Sequence, residues 1–372
     1  MRNILFIGHF LPNGRNVYET NLITELKKQI DNIEVITVNK GYTELETTFL
    51  DIPVHAVKAI KKPIIDEIIR FFDTMRLLRS WEKRYDHNDS RIILLNASIE
   101  VNLAVLLVSK LCKIKVSGLL IDTALGNFKR NTIWNRYLYF CYYLSEKIYK
   151  YLDGNMALNP RVVGYLNLTK KPFHLTKIGY SGIHKYSTAI KQNKKKKIVY
   201  TGSLMYYDGT EELLNAVAQL EQDNIELLIF GSGPLSQMAK SFAAKYNHIK
   251  FMGYLPNDKI SQVLHEADFL INPRISYFYT DIFGFPSKII EYLLSGTPVI
   301  TTVFAAMPEA YEEFVYLIQE ESVKGIKNAI ITALHDKPEV RAYKTRKAYQ
   351  YVIANNQYTD IVREMLEFVF SL

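Results

Sequence analysis

The stretch FGFPSKIIEYLLSGTPVI at residues 283–300 combines a turn, a short helix and a strand. Pro286 stops any earlier helix, and Ser287 is a residue type that caps helix N-termini. Gly296 suits the position just after a helix, because glycine adopts the left-handed conformation without steric cost. The spacing therefore predicts a helix over about 288–295, and TPVITT after it reads as a buried strand.

Two charged residues in this helix are not needed for its folding. Lys288 stands at the N-terminus, where a cation opposes the helix dipole unless a bound anion neutralises it. Glu291 lies one turn later, and its carboxylate could accept hydrogen bonds from the two vicinal hydroxyls of a ribose. We expect Lys288 to bind a phosphate and Glu291 a ribose. The alternative is an ordinary capped helix with two solvated charges.

From the first residues up to this stretch, predicted strands alternate with predicted helices. Apolar runs such as NILFIG and RIILLN precede helical patterns, and the same order restarts at KIVYTGSL. This alternation predicts parallel sheets covered on both faces, and 372 residues suffice for two such α/β units. We expect an N-terminal unit over 1–183, a polar linker ending in four lysines over 184–197, and a C-terminal unit over 198–355. An amphipathic helix over about 356–372 ends the chain.

The net charge and the cysteine content indicate which partners the protein binds and in which cellular compartment it works. Lys and Arg number 46 against 38 Asp and Glu, and the net charge of +8 favours nucleotide phosphates, nucleic acid or an acidic membrane surface. Cys112 and Cys141 make neither a disulfide framework nor a zinc pattern, which fits a reducing cytoplasm. The N-terminus reads as a strand and turn rather than a signal peptide, and no apolar run is long enough to span a bilayer. We expect a cytoplasmic protein, or one peripheral on the inner face of the membrane.

Glycine or polar turns follow the predicted strands of the C-terminal unit, where ligands bind in α/β sheets. Arg274 and Lys288 could together clamp a diphosphate, because arginine supplies a bidentate fork and lysine a point charge. Tyr206 and Tyr207 could line the same crevice or be ordinary surface aromatics. The further candidates for donor binding are Gly202, Ser203, Gly231, Gly233, Tyr254, Gly284, Phe285, Pro286 and Ser287.

Candidates for the cleft and the acceptor follow the strands of the N-terminal unit. Gly14 would let the backbone approach a ligand, and Arg15 indicates an anionic ligand or a solvated loop. Asn96 and Ser98 end one strand and could hydrogen-bond an acceptor. Asp122 ends the next strand, and we place it in the cleft without a defined role.

Two segments combine basic and aromatic residues, as interfacial helices do: 58–84 and 128–152. They predict peripheral membrane contact; the alternative for the second is a core helix whose outer tyrosines pack on neighbours. Its predicted core stripe consists of Ile133, Tyr137, Phe140, Leu144, Ile148 and Tyr151. The aromatic residues predicted to lie off that stripe are Trp134, Tyr139, Tyr142 and Tyr143.

The C-terminal half resembles the nucleotide-sugar domain of GT-B glycosyltransferases of family 4. The resemblance is carried by YTGSL, LLIFGSGPL, IKFMGYL, DFLINPR and FGFPSKIIEYLLSGTPVI, in the family's order over about 100 residues. It implies two Rossmann-like domains with parallel sheets facing a central cleft, and a final helix that returns to the N-terminal domain. The variant with NPR, FPSK and EYL is similar to bacterial enzymes that build capsule, exopolysaccharide or O-antigen.

The family's functional positions transfer unevenly. Glu291 matches the ribose-binding glutamate that ends the family's E-x7-E motif, whereas the first glutamate falls on Phe283. Asp281 precedes the glycine turn much as that first glutamate does. Ser203 and Asp208 stand where the family's GRLxxxKG loop has an arginine and a lysine. The resemblance therefore favours Arg274 and Lys288 as the diphosphate clamp. Asp122 lies near the place where the family often has a histidine.

The implied activity is retaining transfer of a sugar from a nucleotide-sugar, with a UDP-sugar favoured. The acceptor would be a glycan or a polyprenyl-diphosphate-linked glycan. The chain has no D-x-D sequence and its eight histidines show no metal-ligand spacing, so we expect neither metal nor cofactor. The alternatives are a nucleotide-sugar 2-epimerase of the same fold and an inactive sugar-binding or scaffolding relative. A nucleic-acid binder is a third, but no nucleic-acid motif appears and the cations are dispersed.

Overall fold

The computed structural model describes residues 1–10, 17–38, 46–60, 62–123, 132–181, 186, 195–221, 223–276 and 283–372. The chain divides into two compact units. The first unit comprises Met1–Gly179, Ile282–Gly284 and Tyr358–Leu372, and the second comprises Tyr180–Asp281 and Phe285–Gln357. Most of the predicted linker lies outside the described residues. Its last two lysines, Lys196 and Lys197, begin a strand, so the linker prediction extends too far at this end.

The first unit is built on a sheet of eight strands within the described ranges, in the order β3-β4-β2-β1-β5-β6-β7-β8. Its strands are β1 (Asn3–Gly8), β2 (Asn32–Thr37), β3 (Glu46–Phe49), β4 (Ile52–Ala56), β5 (Ser90–Leu95), β6 (Lys115–Leu120), β7 (Gly154–Ala157) and β8 (Phe173–Leu175). Its helices are α1 (Val17–Gln29), α2 (Pro63–Glu82), α3 (Ile99–Cys112), α4 (Ile133–Ile148), α5 (Arg161–Leu166) and the chain's last helix, described below. Neighbouring strands are parallel except β3 and β4, which form an antiparallel hairpin at the edge that the alternating pattern did not predict.

The second unit has six described strands in the order β11-β10-β9-β12-β13-β14, and every neighbouring pair is parallel. Its strands are β9 (Lys196–Ser203), β10 (Ile225–Ser232), β11 (Ile249–Gly253), β12 (Phe269–Asn272), β13 (Val299–Thr302) and β14 (Tyr316–Ile318). Its helices are α6 (Thr210–Ala218), α7 (Ser236–Lys245), α8 (Asn257–Glu266), α9 (Lys288–Leu294), α10 (Tyr311–Phe314), α11 (Val323–His335) and α12 (Pro338–Asn355). This is the doubly wound order, whose direction reverses between β9 and β12.

Both faces of the first sheet are buried, which explains the continuous apolar run of its first strand. Along β1, Leu5 and Ile7 belong to the core under α2 and α3, whereas Ile4 and Phe6 belong to the core on the opposite face. Successive side chains of a strand alternate between faces, so every second residue enters each core.

The last helix, α13 (Tyr358–Ser371), belongs to the first unit. Its buried side chains recur at helical spacing and join the core beside α1: Ile361, Val362, Met365, Leu366 and Val369. Arg91 Nε donates to the carbonyl of Val369 at 3.1 Å, and Gln29 Nε2 donates to the carbonyl of Thr359 at 2.9 Å. The helix is thus fixed to the sheet and to α1 by apolar packing and by two polar contacts.

The predicted core stripe of α4 is wrong. Ile133 is 88% exposed and Phe140 is 56% exposed, whereas Ser145, Glu146 and Ile148 at the end of the helix are buried. Polar contacts hold this helix in its second turn and near its C-terminus, where Tyr137 hydrogen-bonds to Glu67 and Ser145 to Asn102. Ile133 and Phe140 lie on the side that these contacts leave at the surface.

Among the described residues, none of the helices is both long enough and apolar enough to cross a membrane.

Met365 tests the packing of α13. It is fully buried, so we expect Met365→Ala to lower the free energy of unfolding of the first unit by about 2–5 kcal/mol, because the substitution leaves a cavity. Urea denaturation followed by circular dichroism measures this change. Glu367→Ala on the exposed side of the same helix is the control and should change stability by less than about 0.5 kcal/mol. Equal effects of the two variants would contradict the packing.

Candidate functional site

The strand order of the second unit indicates where on its sheet a ligand would bind. In doubly wound sheets ligands bind at the carboxyl ends of the strands, where the order reverses. Here that point lies between β9, which ends with Gly202 and Ser203, and β12, which is followed by Arg274. Gly202, Ser203 and Arg274 therefore lie at the carboxyl ends of two strands that are neighbours in the sheet.

Two glycines allow the ends of β9 and β10 to approach each other. Gly202 and Gly231 are paired in the ladder, with φ of +131° and +150°, in a region that residues with a side chain rarely adopt. A Cβ atom on Gly231 would lie only 1.8 Å from the carbonyl oxygen of Gly202. A side chain at position 231 would therefore displace the end of β9.

Lys288, the first residue of α9, places its ammonium group beside the end of β9. Its Nζ donates to the hydroxyl of Tyr200 at 3.1 Å and lies 4.2 Å from the centroid of that ring. A Cβ atom on Gly202 would be 3.1 Å from this Nζ, so the missing side chain leaves room for the ammonium group. Tyr200 in turn donates to the carbonyl of Ser203. Sequence reasoning missed Tyr200; its signal was a tyrosine in an apolar strand directly before a glycine turn.

The environment of Lys288 is unfavourable for a lone cation. Surrounding protein desolvates the ammonium group and lowers its pKa to about 8, the carboxylate of Asp208 opposes the shift, and repulsion by Arg274 adds to it. The residue keeps partial access to solvent, so a ligand could reach it. A bound anion would stabilise the charged form, which desolvation and Arg274 disfavour.

The loop after β9 carries a carboxylate where the family pattern has a cation. Asp208 is buried and ends a short 3₁₀ turn over Tyr206–Asp208. Ser203 Oγ donates to its Oδ2 at 2.6 Å, and the N–H of Met205 points to the same oxygen at 3.4 Å. The two positions that lack the family's cations are therefore hydrogen-bonded to each other. Positive charge at this edge comes from Lys288 and Arg274 instead.

Arg274 is anchored to the same loop. Its guanidinium lies over the ring of Tyr207, 5.5 Å from the centroid, and its carbonyl accepts from Thr302 Oγ1 at 2.7 Å. The N–H of Ile275 donates to the carbonyl of Tyr207 at 2.9 Å. The loops that follow β9 and β12 thus form one connected structure, which brings Arg274 near enough to Lys288 to repel it.

Helix α9 is fixed against β9 by a tyrosine that the sequence analysis also missed. Tyr292 is fully buried, and its hydroxyl accepts from the N–H of Thr201 at 2.9 Å. Of the seven residues of α9, Glu291 is the exposed one. Neighbouring protein atoms still desolvate its carboxyl in part, which raises the pKa of Glu291. The helix therefore presents Lys288 and Glu291 one turn apart while its apolar residues are buried.

The turn before α9 differs from its prediction in two respects. Ser287 occupies the N-cap position, but it has helical backbone angles and its side chain makes no capping hydrogen bond. The N–H groups of Ile289 and Ile290 donate to the carbonyls of Pro286 and Ser287, so they are not available to a phosphate. At the other end Gly296 has the predicted left-handed conformation, with φ of +72°.

The remaining predicted donor residues are dispersed. Phe285 packs edge-on against Phe304, with the ring centroids 5.2 Å apart, and Gly284 is grouped with the first unit. Gly233 donates its N–H to Ser236 Oγ at the start of α7. Tyr254 is 71% exposed and follows β11, the edge strand, which β10 separates from β9.

Phe283, where the family motif has its first glutamate, lies in the hydrophobic core of the first unit. Its ring centroid is 5.5 Å from that of Tyr165 in an edge-on arrangement. Asp281, the suggested substitute, lies outside the described residues, as do Gly14 and Arg15.

The structure connects predicted acceptor residues at the carboxyl edge of the first sheet. His9 after β1 has its Nε2 3.1 Å from the carbonyl oxygen of Asn96, and Asn96 Nδ2 donates to the carbonyl of Asp122 at 2.7 Å. Burial lowers the pKa of His9. Ser98 donates its hydroxyl to Glu100, so that hydroxyl proton is already engaged.

A buried carboxyl lies beside this cluster and was not predicted. Glu146 on α4 accepts from the hydroxyls of Thr123 and Tyr165, and burial raises its pKa to about 7. Nothing in the sequence pattern of α4 marks this glutamate, which follows directly after the tyrosine-rich run. Among the residues the structure covers, no group of three or more His, Cys, Asp and Glu could hold a metal ion.

Residues 186–351 match the family model described as glycosyl transferases group 1. Over 121 residues the chain is 23% identical to the putative colanic acid biosynthesis glycosyltransferase WcaL of Escherichia coli, covering 31% of this chain and 30% of that protein. The chain thus spans about 30% of the length of the curated relatives it matches. The resemblance seen in the C-terminal half of the sequence is confirmed.

Solved structures match along almost the whole chain. Sucrose-phosphate synthase from Thermosynechococcus elongatus has a TM-score of 0.77 at 15% identity, covering 99% of this chain and 98% of that one. HepE of Anabaena in complex with UDP-glucose has a TM-score of 0.72 at 15% identity, with both chains fully covered. The likeness shows the fold, and the expected GT-B class of two Rossmann-like α/β units is confirmed. The 2-epimerase alternative is not favoured by these matches.

Gly231 and Gly253 provide a matched test of the close approach at this edge. Both have positive φ, but a Cβ atom on Gly253 would meet open space. We expect Gly231→Ala to lower the free energy of unfolding by at least about 3 kcal/mol, and Gly253→Ala by about 1–2 kcal/mol. Thermal denaturation of the two variants measures the difference. A Gly231 variant no less stable than its Gly253 counterpart would contradict the geometry.

Proposed function

We propose that this chain, whose residues 186–351 match the glycosyl transferases group 1 family, is a retaining glycosyltransferase. It transfers a sugar from a UDP-sugar to a glycan or lipid-linked glycan acceptor in the synthesis of a bacterial surface polysaccharide. The observation that carries the proposal is the position of Lys288, whose ammonium group is held beside Tyr200 and Gly202 at the point where the strand order of the second sheet reverses.

The donor's diphosphate would bind to Lys288 and Arg274. Transfer of the sugar leaves a nucleoside diphosphate, on which negative charge develops as the glycosidic bond breaks. Two fixed cations stabilise that charge more in the transition state than in the ground state, which accelerates the reaction. Because these side chains supply the charge, the proposed reaction needs no metal ion. The acceptor hydroxyl oxygen bonds to the anomeric carbon on the face from which the diphosphate departs, and its proton passes to the departing phosphate oxygen, so the anomeric configuration is retained.

The repulsion between Lys288 and Arg274 would favour binding of a diphosphate in this mechanism. Without a ligand, desolvation and Arg274 destabilise the charged form of Lys288. A diphosphate would offset both effects, so binding would stabilise the charged form of Lys288. The hydrogen bond from Ser203 holds Asp208 in place, where its carboxylate attracts the ammonium group without an ion pair between the two.

The nucleotide and the polysaccharide are inferred from the proteins that this chain resembles. HepE is crystallised with UDP-glucose, and the relative from E. coli is named for colanic acid biosynthesis. The first supports a UDP-sugar donor, and the second supports a role in the synthesis of a surface polysaccharide. Glu291, exposed and one turn after Lys288, would accept hydrogen bonds from the ribose hydroxyls.

The acceptor would bind at the carboxyl edge of the first sheet, among Asn96, Asp122 and their neighbours. Backbone and side-chain contacts hold these residues together, as a positioning surface for a sugar requires. A polyprenyl-diphosphate-linked acceptor would bring the enzyme to the cytoplasmic face of the membrane. The segments 58–84 and 128–152 would supply the contact.

Lys288 should make nucleotide binding depend on pH. With a pKa of about 8 in the free protein, Lys288 is charged below that pH and loses its charge above it. UDP binding, which favours the charged form, should therefore weaken as the pH rises above 8, by up to about tenfold per pH unit. Isothermal titration calorimetry with UDP between pH 7 and pH 10, in buffer containing EDTA, measures the effect.

Two variants isolate the lysine. Lys288→Ala should bind UDP about 10- to 100-fold more weakly, without the pH dependence and with an unchanged fold. Lys288→Arg keeps a charge that does not titrate in this range, so it should lose the pH dependence while retaining more affinity than the alanine variant. Unchanged affinity in Lys288→Ala would remove Lys288 from the clamp. Absence of UDP binding by the wild-type chain would reject the donor.

Glu291 should decide whether the site distinguishes ribose from deoxyribose. Wild-type protein should prefer UDP to 2′-deoxy-UDP by about tenfold, because the lost hydroxyl leaves one hydrogen bond unmade. Glu291→Ala should bind the two equally, whereas Glu312→Ala, an exposed glutamate on α10, should keep the preference. Competitive displacement of a fluorescent UDP analogue measures both affinities. A preference that survives in Glu291→Ala would show that another residue holds the ribose.

A further inference from the structure

Three helices of the first unit carry half of the large apolar side chains that the structure shows exposed. Eleven of these 22 side chains lie on α2, α3 and α4. We call them together the α2–α4 face: Ile64, Ile65, Ile68, Phe72, Leu103, Leu107, Leu111, Ile133, Trp134, Phe140 and Tyr143. Folding leaves them in water, so folding alone does not explain their apolar character.

The side chains form stripes at helical spacing. On α2, Ile64, Ile68 and Phe72 are four residues apart, with exposed fractions of 54–66%. On α3, the spacing of Leu103, Leu107 and Leu111 is the same. Residues four apart lie on one side of a helix, so each stripe is a continuous apolar ridge rather than scattered exposure.

Side-chain contacts hold α2 and α3 together. Arg70 of α2 is buried and donates to Glu100 at the start of α3 at 2.9 Å. Nine residues later, Arg79 Nη1 lies 3.0 Å from the sulfur of Cys112 at the end of α3. The two helices therefore run side by side in the same direction.

The third helix is tied to both. Tyr137 in the second turn of α4 donates to Glu67 of α2 at 2.8 Å, and Asn102 of α3 donates to Ser145 near the end of α4 at 2.7 Å. The exposed apolar residues at the beginning of α4 are therefore near the first half of α2. The three helices form one surface.

The charges on these helices are sorted by sign. Their six carboxylates are all buried or partly buried with polar partners: Asp66, Glu67, Asp73, Glu82, Glu100 and Glu146. Seven basic residues on the same helices or at their caps are exposed: Lys62, Arg76, Arg79, Lys83, Lys110, Lys113 and Arg136. Three of them, Arg76, Arg79 and Lys110, form ion pairs with Asp73, Glu82 and Asp153. The face thus presents apolar and cationic groups to solvent and turns its negative charge inward.

We propose that the α2–α4 face docks on the surface of an anionic lipid bilayer. Apolar and aromatic side chains enter the boundary between headgroups and acyl chains, while nearby cations attract anionic headgroups. A second copy of this chain is a poorer occupant, because a symmetric contact would bring the same cations against each other. The proposal deepens the proposed function, since a lipid-linked acceptor lies at such a surface, but its evidence is independent of the donor site.

The two tryptophans allow a direct measurement. Trp134 lies on the α2–α4 face and is 46% exposed, whereas Trp81 is 2% exposed in the core. Vesicles of phosphatidylcholine with phosphatidylglycerol should shift the fluorescence of the full chain to shorter wavelength as Trp134 leaves water. Vesicles of phosphatidylcholine alone should bind at least tenfold more weakly, and the Trp134→Phe variant should show no shift. Sedimentation with the same vesicles measures binding independently.

Paired variants test the face itself. Ile68→Gln with Phe72→Gln should reduce partitioning onto anionic vesicles at least tenfold, because two apolar side chains no longer enter the lipid. Leu50→Gln with Leu175→Gln removes similarly exposed side chains of the same unit outside the face and should leave partitioning unchanged. Lys62→Gln with Arg136→Gln should reduce it about fivefold per cation, and high salt should weaken wild-type binding. All substituted positions are exposed, so thermal stability should be unaffected.

Several results would overturn the proposal. One such result is wild-type protein that does not bind anionic vesicles. Another is an Ile68/Phe72 variant that binds these vesicles as well as the wild type. A dimer that the Ile68/Phe72 variant dissociates, without vesicle binding, would assign the face to a second copy. UDP titration of the same variant separates the two proposals. Vesicle binding without UDP binding would reject only the donor site, whereas UDP binding without vesicle binding would reject only the docking surface.

Discussion

Burial of both faces of a parallel sheet is the constraint on which this molecule depends. Apolar side chains fill both faces of each central strand, as the alternation along β1 between two cores shows. Ligand-binding side chains are thereby expected at the ends of the strands and on the outer sides of the helices. The candidate donor site lies at the strand ends of the second unit, and the α2–α4 face lies on the outer sides of three helices in the first.

The proposed donor site shows how a fold can hold a cation without neutralising it. Lys288 interacts with an aromatic hydroxyl and a ring rather than with a carboxylate at ion-pair distance. Glycine at position 202 makes room for the ammonium group, and Tyr292 fixes the helix that carries it. This arrangement leaves the charge under-compensated in the free protein, which suits a site whose ligand brings two or more negative charges.

On the proposed docking surface, in contrast, the charged groups that are held inside are carboxylates. Each carboxylate of α2, α3 and α4 accepts a hydrogen bond or forms an ion pair inside or at the margin of the packed unit, as Glu100 does with Arg70. Exposed cations therefore outnumber exposed carboxylates on these helices, although Arg76 and Arg79 form ion pairs with Asp73 and Glu82 of their own helix. A second set of apolar residues on these helices faces outward, and Ile133 and Phe140 are the most exposed of those on α4.

The sequence by itself determined the α/β class, most helices and central strands, the helix that carries Lys288 and Glu291, and the resemblance to group 1 glycosyltransferases. Those features are local or periodic, so spacing and turn chemistry suffice to predict them. It did not determine the β3–β4 hairpin, because strand pairing at an edge depends on residues that are distant in the pattern. It misassigned the core side of α4, because amphipathic spacing shows that a helix has two sides but not which one the fold covers. Only the tertiary structure placed Tyr200 against Lys288 and joined Ser203 to Asp208, because these contacts form where separate strands, loops and helices meet at one edge of a sheet.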